Sequence, residues 1–200
     1  MHGRGLDDHT LRAWRVGFQP IFGLREPAKE WGLNGDTVGL PRGLVLPWMV
    51  SDVLWQINVR ISARHPSRRY LAVRGGGRPW LYGADTLTPG RPAILLEGEL
   101  DTRLVWQEAG DLLGTASLGS ARKGLSPRAL GRLAARTPLL EAYDRDTEGR
   151  AGAERLRLVV PHLRTTLPPA GKDPTAYWQR GGAVRPWIRR ALDEAEAGES

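Results

Sequence analysis

The chain has no cysteine, which excludes disulfides, Cys-ligated zinc and a cysteine nucleophile. It has almost no lysine: Lys29, Lys123 and Lys172 are the only ones among 29 basic residues, so arginine carries the positive charge. Arginine's planar fork suits phosphate oxygens, while a GC-rich genome would produce the same bias without a binding role. Long apolar runs are missing too. The longest, around residues 44–50, is far too short to cross a bilayer, and the N-terminus lacks the charged start and apolar centre of a signal peptide. The expectation is a cytoplasmic protein with no membrane partner. The histidines His2, His9, His65 and His162 are scattered without ligand spacing, which argues against a zinc site or a Ser/His/Asp triad. Residues 114–120 have the glycine spacing of a phosphate-binding loop but lack its lysine.

What is present suits a soluble globular protein: 200 residues, 40% hydrophobic and 26% charged. That length makes one full-sized domain, or one with a small appendage, and can bury a sizeable core. Lys+Arg 29 against Asp+Glu 22 leaves a net charge of +7. A pI near 10.5 predicts attraction to polyanions, nucleic acid first among them.

The first half reads as short pieces. Asp7-Asp8-His9-Thr10 ahead of residues 11–16 predicts a short amphipathic helix ending near Gly17. Residues 21–40, rich in Gly and Pro, read as loop or short strand around Trp31. Strands follow at 43–48, 53–61 and 70–73. In the second of these Val53, Trp55, Ile57, Val59 and Ile61 alternate with polar neighbours, so one face should be buried with Arg60 on the other. Arg60, Arg64, Arg68 and Arg69 form either a solvated edge or a phosphate-contacting surface. Gly75-Gly76-Gly77 reads as a plain connection before Trp80-Leu81-Tyr82-Gly83.

After Pro92 the pattern becomes strand and helix in alternation, as in a parallel sheet covered by helices. Strands are expected at 93–97, 112–117, 138–143 and 163–167, with helices at 100–109, 126–136, 147–160, 173–180 and 184–196. Ser126-Pro127 is a cap with proline at the first helical position. Two strands of this group end in carboxylates: Ala93-Ile94-Leu95-Leu96-Glu97-Gly98-Glu99-Leu100-Asp101, and Leu139-Leu140-Glu141-Ala142-Tyr143-Asp144-Arg145-Asp146. In an open α/β sheet ligands bind at strand ends, and Mg²⁺ takes oxygen ligands from one or two carboxylates plus substrate phosphates. Glu97 facing Asp144 and Asp146 would make a phosphoryl-transfer site. Two residues apart, Asp144 and Asp146 would share one face of a true strand, or would cap the helix from Thr147, and both readings can hold together. Glu97 alone would read as a helix cap or surface residue; Gly98 behind it leaves room for a phosphate or metal.

The arrangement resembles the TOPRIM domain, with a Glu ending a first strand and Asp-x-Asp ending a later one. Within TOPRIM proteins the chain is similar to the polymerase core of bacterial DnaG-type primases over roughly residues 40–182. The blocks, in family order, are Leu81-Tyr82-Gly83, Glu97-Gly98-Glu99-Leu100-Asp101, Ser117-Leu118-Gly119-Ser120, Tyr143-Asp144-Arg145-Asp146-Thr147-Glu148-Gly149-Arg150 and Gly171-Lys172-Asp173-Pro174. The resemblance implies an α/β fold: a TOPRIM-type parallel sheet flanked by helices (residues 91–182), preceded by a small mixed α+β basic subdomain (1–90) and followed by a C-terminal helix and tail (183–200).

It further implies metal-dependent synthesis of short RNA primers on a single-stranded DNA template from ribonucleoside triphosphates, with a replicative helicase as a partner. Glu97, Asp144 and Asp146 would be catalytic, and with Asp101 and Asp173 would hold one or two Mg²⁺ or Mn²⁺ ions. Arg60, Arg68, Arg69, Tyr70, Arg150 and Lys172 would contact nucleic acid or nucleotide. The zinc-binding domain that usually precedes such a core has no cysteines to build it here, so the chain is expected to be either a segment of a longer protein or a minimal version. Where the family carries an Asp after the last Pro this chain has Thr175, and the polar residue expected after Tyr70-Leu71 is Ala72 or Val73. The same acids would also serve a TOPRIM nuclease, and a third alternative is a non-catalytic nucleic-acid-binding module.

Overall fold

Two compact units divide the chain, one of Asp8–Arg78 and one of Met1–Asp7 with Pro79–Ser200. The computed structural model describes residues 2–61, 69–76 and 81–198. Arg64, Arg68, Gly77 and Trp80 lie outside the described residues.

In the unit from Asp8, helix α1 (Asp8–Ala13) starts and stops earlier than its apolar pattern predicts. Arg15 takes a left-handed φ of 52°, and the Val16 N–H returns to the Leu11 carbonyl, closing the helix. Then come β1 (Gly17–Gln19), β2 (Leu24–Pro27), a 3-10 turn at Ala28–Trp31, β3 (Thr37–Leu40), β4 (Gly43–Val50), β5 (Val53–Ile61) and β6 (Tyr70–Ala72). β2 and β3 form a hairpin where loop or a short strand around Trp31 was expected, and Trp31 sits in the turn between the strands. The hairpin holds because Ala28 and Val38 are buried against Val59 and Val73, with Trp31, Val45 and Ile57 packed around them. The larger sheet runs β1-β4-β5-β6, all antiparallel.

Residues directly opposite in an antiparallel pair point to the same face. Phe18 opposes Leu44, Leu44 opposes Arg60 and Arg60 opposes Tyr70. One row across all four strands therefore presents aromatic, aliphatic, cation and aromatic. Phe18 is 56% exposed and Tyr70 36%. The neighbouring row, Val45, Val59 and Leu71, turns the other way into the core, as the alternation of β5 predicts, but Val53 at the start of that strand is 56% exposed and not buried with the rest. The Arg60 face is not wholly solvated, since Leu46, Trp48 and Asn58 on it are buried.

The acidic unit is a parallel sheet. Its elements are β7 (Ala93–Leu96), α2 (Glu99–Ala109), β8 (Gly114–Ser117), α3 (Pro127–Ala134), β9 (Leu139–Ala142), α4 (Thr147–Val159), β10 (Leu163–Thr165), α5 (Pro174–Gln179) and α6 (Val184–Ala197). Every residue of β7, β8 and β9 is buried, as expected for strands covered on both faces. β8 starts two residues later than expected because the N–H groups of Leu112 and Leu113 both turn back to the Ala109 carbonyl and finish α2. Ser126 caps α3 by accepting the Ala129 N–H at 3.2 Å. On α6 the buried positions Val184, Trp187, Ile188, Ala191, Leu192 and Ala195 fall at helical spacing.

Strand order is β10-β9-β7-β8, with every neighbour parallel. From β7 the chain moves outward to β8, then crosses back to β9 on the other side of β7. The carboxyl ends of β7 and β9 thus flank a topological switch point, where the connecting segments diverge and leave a crevice. Both acidic stretches leave the sheet there.

Candidate active site

Leu96 pairs with Ala142 at the end of the β7–β9 ladder. Glu97 is the next residue after β7, and Asp144 follows β9 by two. The backbone leaves the ladder at Tyr143 because its N–H is taken by the buried Glu141 side chain, at 3.0 Å. Asp144 and Asp146 therefore lie in the turn between β9 and α4, and the expectation that a strand sets them on one face is corrected. Asp146 is the α4 cap, accepting the Gly149 N–H at 2.9 Å.

The acids are held by different partners, except that Asp144 and Asp173 share Lys172. Asp101, on the first turn of α2, accepts both the Thr175 N–H (3.0 Å) and its hydroxyl (2.6 Å) on the same oxygen. Asp173 caps α5 through the Ala176 N–H at 2.6 Å. The Lys172 ammonium lies 2.8 Å from Asp144 and 3.3 Å from Asp173. Glu148 pairs with Arg122 at 2.7 Å. Glu97 differs from the rest: its Oε2 is buried and has no hydrogen-bond partner.

Crowded carboxylates resist ionisation. Burial first, and then the negative charges of Asp144, Asp146 and Glu148, push Glu97 up to about 7, while an Asp144 backbone hydrogen bond opposes them. Burial, with Asp173 and Asp144 adding to it, pushes Asp101 up to about 6 against the two Thr175 bonds. Burial also raises Asp144, with Lys172 working the other way. The bonded Asp144 is the first cause that holds Lys172 above its ordinary value.

Among the described residues no three His, Cys, Asp or Glu side chains stand together as a preformed metal cage. The donor set nonetheless fits a hard divalent cation: carboxylate oxygens only, mutually repelling, one of them buried and bare. Gly98 has an ordinary φ of −121°, and a Cβ there would meet only an Asp101 oxygen at 3.7 Å. Neither backbone nor packing requires glycine, so its effect is to leave space beside Asp101. Gly149 is required. A Cβ on it would overlap the Asp144 carbonyl oxygen and lie 2.9 Å from that residue's carbonyl carbon and nitrogen.

Seven of the expected site residues, Glu97, Asp101, Asp144, Asp146, Arg150, Lys172 and Asp173, belong to this one unit. Arg150 is exposed and donates to the Arg145 carbonyl at 2.7 Å. Arg60, Arg69 and Tyr70 belong to the other unit. There the Arg60 guanidinium lies 6.0 Å from the Tyr70 ring centre, and Arg69 is exposed. Arg68 falls outside the described residues.

Three features escaped the sequence reading. Thr175 registered only as an absent acid, although it is the Asp101 donor. Phe18 gave no signal until the strand register placed it in the Arg60 row. Glu99 and Arg103 are both buried on α2, the Arg103 guanidinium 5.0 Å from the Tyr82 ring centre; their i, i+4 spacing was the available clue.

A four-stranded parallel sheet flanked by helices, with acids at its switch point and an antiparallel sheet in the accompanying unit, defines a mixed α/β protein. No family model and no curated protein matches the sequence, but solved structures match the fold. The zinc-binding and RNA polymerase domains of the Aquifex aeolicus primase superpose with a TM-score of 0.73 at 18% identity, over 97% of this chain and 54% of that one. The primase fragment of the bacteriophage T7 primase-helicase gives 0.64 at 16% identity, over 95% of this chain and 72% of that one. A primase domain in a complex of bacteriophage T7 lagging-strand DNA polymerase with primase domains bound to an RNA/DNA hybrid and dTTP gives 0.65 at 18%, over 98% and 90%. The chain therefore has the primase fold, and spans about half of the Aquifex chain. Among the described residues no helix is long and apolar enough to cross a membrane.

Proposed function

We propose that the protein is a primase-type nucleotidyltransferase that makes short RNA primers on single-stranded DNA. The observation that carries this reading is the bare, buried Glu97 oxygen facing the Asp144 turn at the switch point of a primase fold. Glu97, Asp144 and Asp146, supported by Asp101 and Asp173, would hold Mg²⁺ or Mn²⁺. Such a cation would supply a lowered hydroxyl pKa and a counter-charge for the triphosphate.

The chain's own residues do the positioning. The 3′-hydroxyl oxygen bonds to the α-phosphorus as the bond to pyrophosphate breaks, and the hydroxyl proton is lost. Glu97 offers its oxygen either to the cation or, as general base, to that proton. Lys172 and Arg150 neutralise triphosphate oxygens, and holding both reactants together accounts for much of the acceleration.

The sheet row of Phe18, Leu44, Arg60 and Tyr70 would carry the template. Stacking surfaces beside a guanidinium suit unpaired bases of any sequence. Phe18→Ala is expected to weaken single-stranded DNA binding by about tenfold with little sequence preference, read by fluorescence anisotropy. Unchanged affinity would remove this face from the template path.

The function is tested by incubating the protein with end-labelled single-stranded DNA, labelled ribonucleotides and Mg²⁺ or Mn²⁺, beside an Asp144→Asn, Asp146→Asn variant. Short RNA products that vanish in the variant are expected. Metal-dependent shortening of the template would instead make the protein a nuclease. DNA binding indifferent to EDTA and to the variant, with no product, would make it a non-catalytic binding module.

A further inference from the structure

The acid cluster already contains a cation, and the chain supplies it. Lys172 Nζ lies 2.8 Å from Asp144 Oδ2 and 3.3 Å from Asp173 Oδ2, bridging the acid that follows β9 and the acid that caps α5. Both carboxylates are mostly covered, with side chains 14% exposed, while the Lys172 side chain is 58% exposed. The ammonium thus reaches inward from solvent on a flexible stem to oxygens that are themselves fixed.

The backbone holds it there. The Arg145 N–H donates to the Lys172 carbonyl at 3.1 Å, and the Arg145 guanidinium donates to the Pro168 carbonyl at 2.6 Å. The segment carrying Lys172 is laced at two points to the residue next to Asp144. Asp173 is anchored on its other oxygen as the α5 cap, and Asp101 is committed to Thr175. Thr175 and the helix N–H groups are neutral donors. Among the described residues, the one full positive charge bonded to Asp144 and Asp173 is Lys172.

Resting on the function proposed above, we infer that Lys172 is a resident counter-cation that competes with divalent metal for Asp144 and Asp173. A divalent ion taking either oxygen must displace the ammonium. Being monovalent, exposed and on a four-carbon stem, the ammonium yields without unfolding anything around it. Displaced, it remains beside the site, where a nucleotide's triphosphate offers it new oxygens. Lys172 is then a positioning residue that keeps the acids together in the metal-free protein and passes to the nucleotide once metal arrives.

The test is Mn²⁺ alone, titrated into the full chain and followed by the loss of the free-ion electron paramagnetic resonance signal, for wild type, Lys172→Gln and Lys172→Arg. Lys172→Gln is expected to bind Mn²⁺ about three- to tenfold more tightly, the range for removing a half-exposed competing charge. Lys172→Arg, which keeps the charge, should stay near wild type. In EDTA the Gln variant should melt at a lower temperature than wild type, and saturating Mn²⁺ should close the gap. Equal or weaker Mn²⁺ binding by Lys172→Gln overturns the competition and leaves the metal site standing. No Mn²⁺ bound by any of the three overturns the metal site itself, and this inference with it.

Discussion

Glu97→Gln is expected to cut primer synthesis about a thousandfold or more, the scale of losing a charge that acts on the reacting groups, while making the metal-free protein more stable. The two effects share one cause. Glu97 has a buried oxygen with no partner and is pushed up to about 7 by burial and by Asp144. Between about 4.5 and about 7 the folded protein therefore keeps a proton that the unfolded chain has released. Asp101, held up to about 6, does the same over a lower window. Where the folded state binds more protons, stability falls as pH rises. The metal-free protein should melt at a higher temperature at pH 5.5 than at pH 8, losing stability through that window and little beyond it. Glutamine removes the Glu97 share, so at pH 8 the variant should gain about 1 kcal/mol, discounted for partial exposure, and its pH dependence should flatten. Thermal melts across pH in EDTA, beside the primer assay, read both. A variant destabilised at pH 8 would mean that the Asp144 backbone hydrogen bond to the Glu97 carboxylate outweighs the cost of burying its bare oxygen.

Gly149→Ala should destabilise the protein by roughly 2 to 3 kcal/mol and reduce activity about a hundredfold. The added methyl would fall on the Asp144 backbone, overlapping its carbonyl oxygen and pressing on its carbonyl carbon and nitrogen. Neither is the free end of a side chain, so the α4 start or the Asp144 turn must shift. The same shift would break the Asp146 cap, whose donor is the Gly149 N–H. Denaturant melts and the primer assay should fall together, and saturating metal should not restore activity. An alanine variant with wild-type activity would show that the Asp144 turn tolerates displacement and is not held for chemistry.

The acidic unit was legible because its strands are buried on both faces. Apolar runs such as Ala93–Leu96 and Leu139–Ala142, each following a proline and leading into carboxylates, leave little choice of element. Ser126-Pro127 and Asp173-Pro174 carry their caps locally, so these helix starts were readable within a residue. The β2–β3 hairpin was not, because what holds it is Ala28 and Val38 packing on Val59 and Val73, and no local pattern records that burial. The strand reading of Asp144 and Asp146 failed for a similar reason, since the Glu141 side chain ends β9 early. The acids all fall within one unit, but their partners left no local signal. Thr175 meets Asp101 across 74 positions, and Lys172 meets Asp144 across 28. Separations of that size are set by topology: Lys172 returns to Asp144 only after the chain has passed through α4 and β10.

Asp146 spends one carboxylate oxygen on the first turn of a 13-residue helix, and its other oxygen takes no part in that cap. Anything that draws charge from that carboxylate also weakens what the Gly149 amide receives. The helix is thereby wired to the site at its first turn, and the Gly149 amide proton is a native spectroscopic label, placed by the fold where occupancy of the crevice can be read without any added probe.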